Sequence, residues 1–257
     1  MGRRWCAVLF VLIGLLMVPV VARPANAADL EMDYQTTLWP GIRFMTLVSY
    51  SPPAVINVIQ LLPRAPEAIT VVPASRSGGG TASVAALCAR AGAIACINGD
   101  MFNRYGTLGG ELVNGWWVKF PTLERQQVWV DAGGFLSANT ELPTSIQSFG
   151  ATPYNLLTPG APIDIPEHDN FSDAGYARTL VGWDGANNRF FVTVEQGQGS
   201  AGMSLTQAAE MMQKLGATTA VNEDGGGSSD MVVVGRSHVA AGQWARPVAS
   251  AIAIVKM

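Results

Sequence analysis

The sequence predicts an α+β fold: a single domain with a large mixed β-sheet core and a few packed helices. Three observations carry that expectation. Ten short apolar runs read as strands, only two stretches have helical periodicity, and no linker or repeat divides the chain. Apolar residue types make up 49% of the 257 residues, enough for one large core.

The chain opens with Arg3 and Arg4, runs apolar from Cys6 to Val21, and reaches Ala25-Asn26-Ala27, a small-x-small site for signal peptidase. Residues 1–27 are therefore expected to be a secretory signal, and 28–257 the mature domain. The apolar stretch is short for a membrane span, and Pro19 and Arg23 close it, so no transmembrane segment is expected in the mature chain. Removing Arg3, Arg4 and Arg23 changes the formal charge from −3 to −6. A soluble, mildly acidic protein follows, secreted, periplasmic or extracellular. Its Lys and Arg are not clustered, which argues against a nucleic-acid partner or attachment to an anionic membrane.

The strand-like runs are 43–50, 55–61, 69–72, 93–98, 127–130, 179–183, 190–195, 219–222, 231–234 and 249–255. The first helix uses Val84, Leu87, Cys88 and Ala91 as its apolar stripe, with Gly92 placed to end it. In the second, Ser204 with Gln207 makes a capping box, Ala208, Met211, Met212 and Leu215 form the buried stripe, and Gly216 stands at the C-terminal cap. Asn114-Gly115 and the DGANN run at 184–188 are hairpin turns. Between Leu136 and Ala177 the chain is rich in Pro, Gly, Ser and Asn, and reads as a lid or a substrate-facing insertion. Its Phe149, Tyr154, Phe171 and Tyr176, with Trp116 and Trp117, are aromatic surfaces for sugar stacking or for packing.

Cys6 leaves with the signal, so Cys88 and Cys96 remain, either as a disulfide in an oxidising compartment or as two small buried residues. Two cysteines with His168 and His238 lack the spacing of a zinc set. His168 and His238 also lie in polar segments with no motif for a Ser-His-Asp hydrolase.

Each helix is followed by an apolar strand that ends in a polar, glycine-containing loop: ACINGDMF at 95–102 and AVNEDGGGSS at 220–229. In mixed sheets, ligands collect beyond the carboxyl ends of strands, so Asn98, Asp100, Asn222 and Asp224 are expected to face one cleft. Strand alternation puts Asn222 and Asp224 on one side and Glu223 on the other. Gly225, Gly226 and Gly227 read as a backbone cradle whose N–H groups converge on an anion, with Ser228 and Ser229 adding hydroxyl donors. A plain Gly/Ser turn between strands is the competing reading. No Lys follows the glycines, so the loop is not a Walker motif.

Four blocks carry a family resemblance: INGDMF at 97–102, RTLVGWD at 178–184, GMSLTQAAEMMQKLGATTAVNEDGGGSSDMVV at 202–233 and RPVASAI at 246–252. In this order they resemble the phosphodiester glycosidase family over roughly 90–255, and the helix-strand-DGGGSS block is the most specific. The resemblance implies that Asn98, Arg178, Asn222, Asp224 and the loop from Gly225 to Ser229 line the active site. It also marks departures. Asp100 stands where the family often has Gly, Glu223 where it usually has Leu, and Glu195-Gln196-Gly197 where many members have Asp-Gly-Arg.

The implied activity is a secreted hydrolase that cleaves the C1–O bond of a sugar-1-phosphodiester, in cell-envelope or exopolysaccharide metabolism. The substrate is a sugar-phosphate or glycan. Such cleavage builds oxocarbenium-like charge and releases a phosphomonoester. Arg178 and the loop amides would hold the phosphate, and Asp224 would act as nucleophile or base, with Glu195 or Asp100 as the second carboxylate. Each residue also has a structural reading: Arg178 paired to a structural carboxylate, Asp100 a turn residue, Asn98 a partner for buried backbone. Arg246-Pro247 is expected to anchor the last strand. No cofactor is required. A non-catalytic glycan- or phosphoglycan-binding protein is the alternative, and metal-assisted P–O cleavage through Asp100, Asp224 and Glu223 is a third chemistry.

Overall fold

Alternation along the strands sorts the apolar side chains onto two faces, and the architecture follows from where those faces go. The computed structural model describes residues 30–63, 65, 67–75, 79–122, 125–142, 144–165, 170–240 and 245–256; the 1–27 leader, Ala28 and His168 lie outside them. One sheet has seven strands in the order β1 (Leu30–Trp39), β2 (Ile42–Tyr50), β3 (Pro53–Leu61), β15 (Arg189–Val194), β14 (Arg178–Trp183), β18 (Thr219–Asn222) and β13 (Asn155–Leu157). A second has five, β20 (Arg236–Val239), β19 (Asp230–Val233), β5 (Ala95–Asn98), β21 (Ser250–Lys256) and β4 (Glu67–Pro73). A third runs β11 (Leu136–Ala138), β10 (Gln126–Asp131), β12 (Ser145–Ala151), β8 (Glu111–Val113) and β9 (Trp116–Lys119). Two short ribbons, β6 (Phe102–Asn103) with β7 (Gly106–Thr107) and β16 (Gln196–Gly197) with β17 (Ser200–Ala201), complete the strands among the described residues.

Every strand pairing among the described residues is antiparallel, which corrects the expectation of a mixed sheet. The helices do not act as crossovers between parallel neighbours. They cover the outer faces of the first two sheets.

Between those sheets, Ile42, Ile59, Val181, Phe191 and Val221 of the first meet Ile97, Met231, Ile252 and Ile254 of the second, and Val128, Phe149 and Ala151 of the third close the layer. On the opposite face of the seven-stranded sheet, Leu180, Val192 and Ala220 lie under Ala208, Met211 and Met212 of α3 (Leu205–Lys214). On the opposite face of the second sheet, Ala251, Ala253 and Val232 lie under Val84, Leu87 and Cys88 of α1 (Val84–Ala91). The order is thus helix, sheet, sheet, helix. Each fully buried Ile, Leu or Phe contributes about 1.5–3 kcal/mol, so the central layer is the main source of stability.

Both helices begin and end as their sequence implies. Ser83 caps α1 by accepting from the Ala86 N–H at 3.2 Å, and Gly92 closes it at φ 61°. Ser204 and Gln207 form the capping box of α3, and Gly216 follows its last turn at φ 99°. Cys88 and Cys96 are disulfide-bonded, which ties α1 to β5.

The segment from Leu136 to Ala177 is not a lid over its described length. It supplies β11, β12, β13 and a short helix, α2 (Asn170–Asp173), and Phe149 is 2% exposed in the central layer. Its inward polar groups explain the misreading. Gln147 donates to Asn114 Oδ1 at 2.6 Å and Ser148 to the Val128 carbonyl at 2.6 Å, so β12 buries polar side chains. Tyr154 and Phe171 pack against the α3 cluster, while Trp117 lies edge-on to Trp129 and Trp116 is exposed.

Candidate active site

The loops after β5 and β18 meet although their strands belong to different sheets. Asp224 N–H donates to the Gly99 carbonyl at 3.1 Å. Asn98, fully buried, fixes the junction: its amide donates to the Asp224 carbonyl at 2.8 Å, and its Oδ1 accepts from Thr179 Oγ1 at 2.6 Å and Asp230 N–H at 3.2 Å. One amide thereby joins β5, β14, β19 and the glycine loop. Asn222 is also buried; its Nδ2 donates to the Glu223 carbonyl at 2.6 Å, while its Oδ1 has no hydrogen-bond partner.

Asp224 is 3% exposed and is held from three sides. Its carboxylate accepts from Arg246 Nη2 at 3.3 Å, from the Ser228 hydroxyl and from the Gly225 N–H. Arg246 Nε donates to Ser228 Oγ at 2.8 Å, so arginine, serine and carboxylate form a closed set. Burial raises the Asp224 pKa, against the opposing pull of Ser228, Arg246 and Gly225. The Arg246 side chain remains 56% exposed, which leaves its cation available to a ligand. Its main chain does anchor the start of the last strand, through N–H to the Gly227 carbonyl at 2.8 Å, but its guanidinium belongs to the site. The sequence held that signal in the RPVASAI block.

The glycine loop is built differently from an open anion cradle. Gly226–Ser228 is a 3₁₀ turn in which Gly226 N–H goes to the Ala177 carbonyl at 2.8 Å, Ser228 N–H to Gly225 at 3.2 Å and Ser229 N–H to Gly226 at 3.1 Å. Those donors order the loop itself, and the Gly225 N–H serves Asp224. Glycine is needed at 225 because a Cβ there would lie 2.9 Å from the Ala177 carbonyl oxygen, and at 226 because φ is +56°. Ser229 is fully buried, and its hydroxyl has no partner.

Asp100 lies beside this loop. Its Oδ1 accepts from Met101 N–H at 2.7 Å and from Arg125, and its Oδ2 from Gly109 N–H at 2.5 Å. Gly109 and Gly150 make room for it, since a Cβ on either would come 2.8 Å from Oδ2. Burial raises its pKa although Arg125 pulls the other way. Glu111 of β8 is pushed up to about 7 by burial, opposed by hydrogen bonds to Ser250 and Thr107 and reinforced by the Asp100 charge. Glu223, fully buried, has both carboxyl oxygens without a partner, and burial lifts its pKa far up, helped by the Asp100 and Asp224 charges. Arg125, Glu111 and Arg246 are the additions that sequence reasoning did not place here.

Two expected members border the glycine loop but are hydrogen-bonded to other partners: Ala177, next to Arg178, accepts from Gly226 N–H, and Gln196, next to Glu195, reaches Ser229 through Ala240. Arg178 is fully buried, with Nε on the Met203 carbonyl at 2.8 Å and Nη2 on those of Phe171 and Ala174 at 2.6 and 3.0 Å; Phe171 and Tyr176 stack on it. It clamps the 171–176 segment to β14 and α3 rather than presenting a cation. Glu195, at the end of β15, accepts from Asn57 Nδ2 at 2.8 Å, and its charge bears on His238. His238 packs on Phe44 at 4.9 Å, and burial lowers its pKa. The charges that bear on Glu223 are those of Asp100, Arg125 and Asp224, and Glu195 is not among them.

Among the described residues no group of three or more His, Cys, Asp or Glu is arranged to hold a metal ion, so Asp100, Asp224 and Glu223 do not form a ligand set. A cleft of about 320 Å³ lined by Asn139, Asn155, Thr158, Trp183 and Thr219 opens at the start of β18, the opposite end of that strand from Asp224, and contains none of these acids.

A family model described as phosphodiester glycosidase matches residues 91–255. Among solved structures, a hypothetical protein from Synechocystis superposes with a TM-score of 0.75 at 16% identity, over 91% of this chain and 65% of that one. The catalytic domain of zebrafish N-acetylglucosamine-1-phosphodiester α-N-acetylglucosaminidase, auto-inhibited by its pro-peptide, superposes at 0.66 and 18% identity, over 91% and 86%. A protein from Burkholderia pseudomallei described as exported does so at 0.59 and 16%, over 79% and 74%. At these identities the superpositions show a shared fold. Among curated proteins no match is found.

Proposed function

The chain belongs to the phosphodiester glycosidase family, and from that premise we propose that it hydrolyses the C1–O bond of a sugar-1-phosphodiester, releasing free sugar and a phosphomonoester. The observation that carries this reading is the closed set of Asp224, Ser228 and Arg246: a buried carboxylate and a half-exposed cation 3.3 Å apart at one loop. Positive charge builds on C1 as the bond breaks, and a carboxylate beside it stabilises that charge or traps it covalently. The departing phosphomonoester, with a second pKa near about 6, needs little protonation. Arg246 takes the phosphate role expected of Arg178, because a guanidinium pairs with two phosphate oxygens and this one reaches solvent. Ser228 fixes the arginine and the carboxylate relative to each other, and Asp100 on Arg125 is the second carboxylate.

The Cys88–Cys96 disulfide supports an oxidising compartment, and with it the expectation of an exported protein acting on cell-envelope or exopolysaccharide material. Among the described residues no helix is long and apolar enough to cross a membrane.

The test is release of sugar and phosphomonoester from a panel of sugar-1-phosphodiesters by the chain starting at Ala28. Asp224→Asn is expected to lower kcat by roughly 10³-fold while still binding ligand. Arg246→Ala is expected to raise KM by roughly 10- to 100-fold, the worth of a charged hydrogen bond. Absence of turnover with every sugar, together with binding unchanged in Asp224→Asn, would instead establish a glycan-binding protein.

A further inference from the structure

Asp100, Asp224 and Glu223 are gathered at one loop junction, with arginines for two of them. Asp100 has Arg125 and Asp224 has Arg246, while both Glu223 oxygens lie bonded to nothing in a fully buried position. Glu223 follows Val221 on the face of β18 that turns toward the layer between the sheets, so its side chain cannot swing out to water. An unpaired buried carboxylate costs several kcal/mol, and the same position filled by an apolar residue would remove that cost. A group kept there against stability is a candidate for function.

We propose that Glu223 is a positioning residue that holds the cluster's proton: as the neutral acid it leaves Asp100 and Asp224 charged on their arginines, and its ionisation disables Asp224. The groups that face it are Asp100 from the loop after β5, Arg125 from the loop before β10 and Asp224 from the loop after β18, with Glu111 of β8 acting through Asp100. Two of the three charges acting on it are anions, and together with burial they favour the protonated form. When the pH rises far enough, the proton leaves to solvent and a third carboxylate charge appears in the cluster, the one without an arginine of its own. That charge weakens the hold of Arg246 on Asp224 and on an incoming phosphate. The proposal rests on the glycosidase reading only for its kinetic consequence.

The test uses the native chain, Glu223→Gln and Glu223→Leu, with two readouts. The first is the carboxyl ¹³C shift of Asp224 against pH. The native protein should show a second inflection well above the ordinary carboxylate range, reporting Glu223, and both variants should lose it. The second is kcat/KM against pH, where the native alkaline limb should move up by more than about one pH unit in both variants. Glu223→Leu should also unfold at a higher temperature, which shows that the fold tolerates the change. An Asp224 titration identical in native and Glu223→Gln overturns the proposal, whatever the turnover. Two native inflections that collapse to one, in a protein that hydrolyses nothing, uphold the proton-holding role and overturn the glycosidase reading instead.

Discussion

Four carboxyl groups, those of Asp100, Glu111, Glu223 and Asp224, lie almost without solvent around one loop junction, and burial lifts the pKa of each. Glu111 gives a stability test separate from turnover. Its folded pKa is about 7 against 4.5 for the free side chain, so the folded state binds more protons between those values. Stability from this group is therefore complete below about pH 4.5 and declines as pH rises through about 7, by about 3 kcal/mol at most. Glu67, raised to about 7 by burial against the pull of Arg189, adds a slope of the same sign. Chemical denaturation at pH 4.5 and 7.5 should show Glu111→Gln losing less stability over that interval than the native chain; an equal loss would contradict the assignment. Asp224 and Asn98 were legible as candidates because each ends an apolar strand in a polar loop. Arg125 was not, since it reaches Asp100 from a loop 25 residues away and nothing local marks it. Arg178 was legible as an arginine opening a family block, but its full burial and its bonds to the Met203, Phe171 and Ala174 carbonyls were not.

At the scale of elements, the strands found from sequence are those whose inward residues are apolar, such as β3, β5, β14 and β21. β1 escaped notice because it is exposed along most of its length, and β12 because Gln147 and Ser148 point inward and find partners there. Strand direction was not legible at all. Helix-then-strand spacing looks the same whether the helix crosses between parallel neighbours or roofs an antiparallel sheet, as α1 and α3 do. The Cys88–Cys96 bond closes a short loop that pins α1 to β5, the strand that delivers Asn98. Replacing both cysteines with alanine is expected to cost about 2.5 kcal/mol by loop entropy, read as an earlier denaturation midpoint. The native chain in reductant should move by the same amount. If neither moves, the bond carries no stability.

For the whole molecule, two antiparallel sheets face each other across one apolar layer, and their polar loop ends meet at a single rim. The acids reach the site from β5, β8 and β18 and the arginines from the loops before β10 and β21, so it forms only when all three sheets are in place. That dependence explains why sequence reasoning recovered the members that follow β5 and β18 and missed Glu111 of the third sheet and the two arginines that arrive from loops. The proposed function turns on Asp224 acting at the sugar's C1 while Arg246 holds the phosphate, with no attack at phosphorus. Hydrolysis of a sugar-1-phosphodiester in ¹⁸O-labelled water tests it most directly, by mass spectrometry of both products. Attack at C1 places the label in the free sugar and leaves the phosphomonoester unlabelled. Label in the phosphomonoester would mean P–O cleavage and would contradict the account.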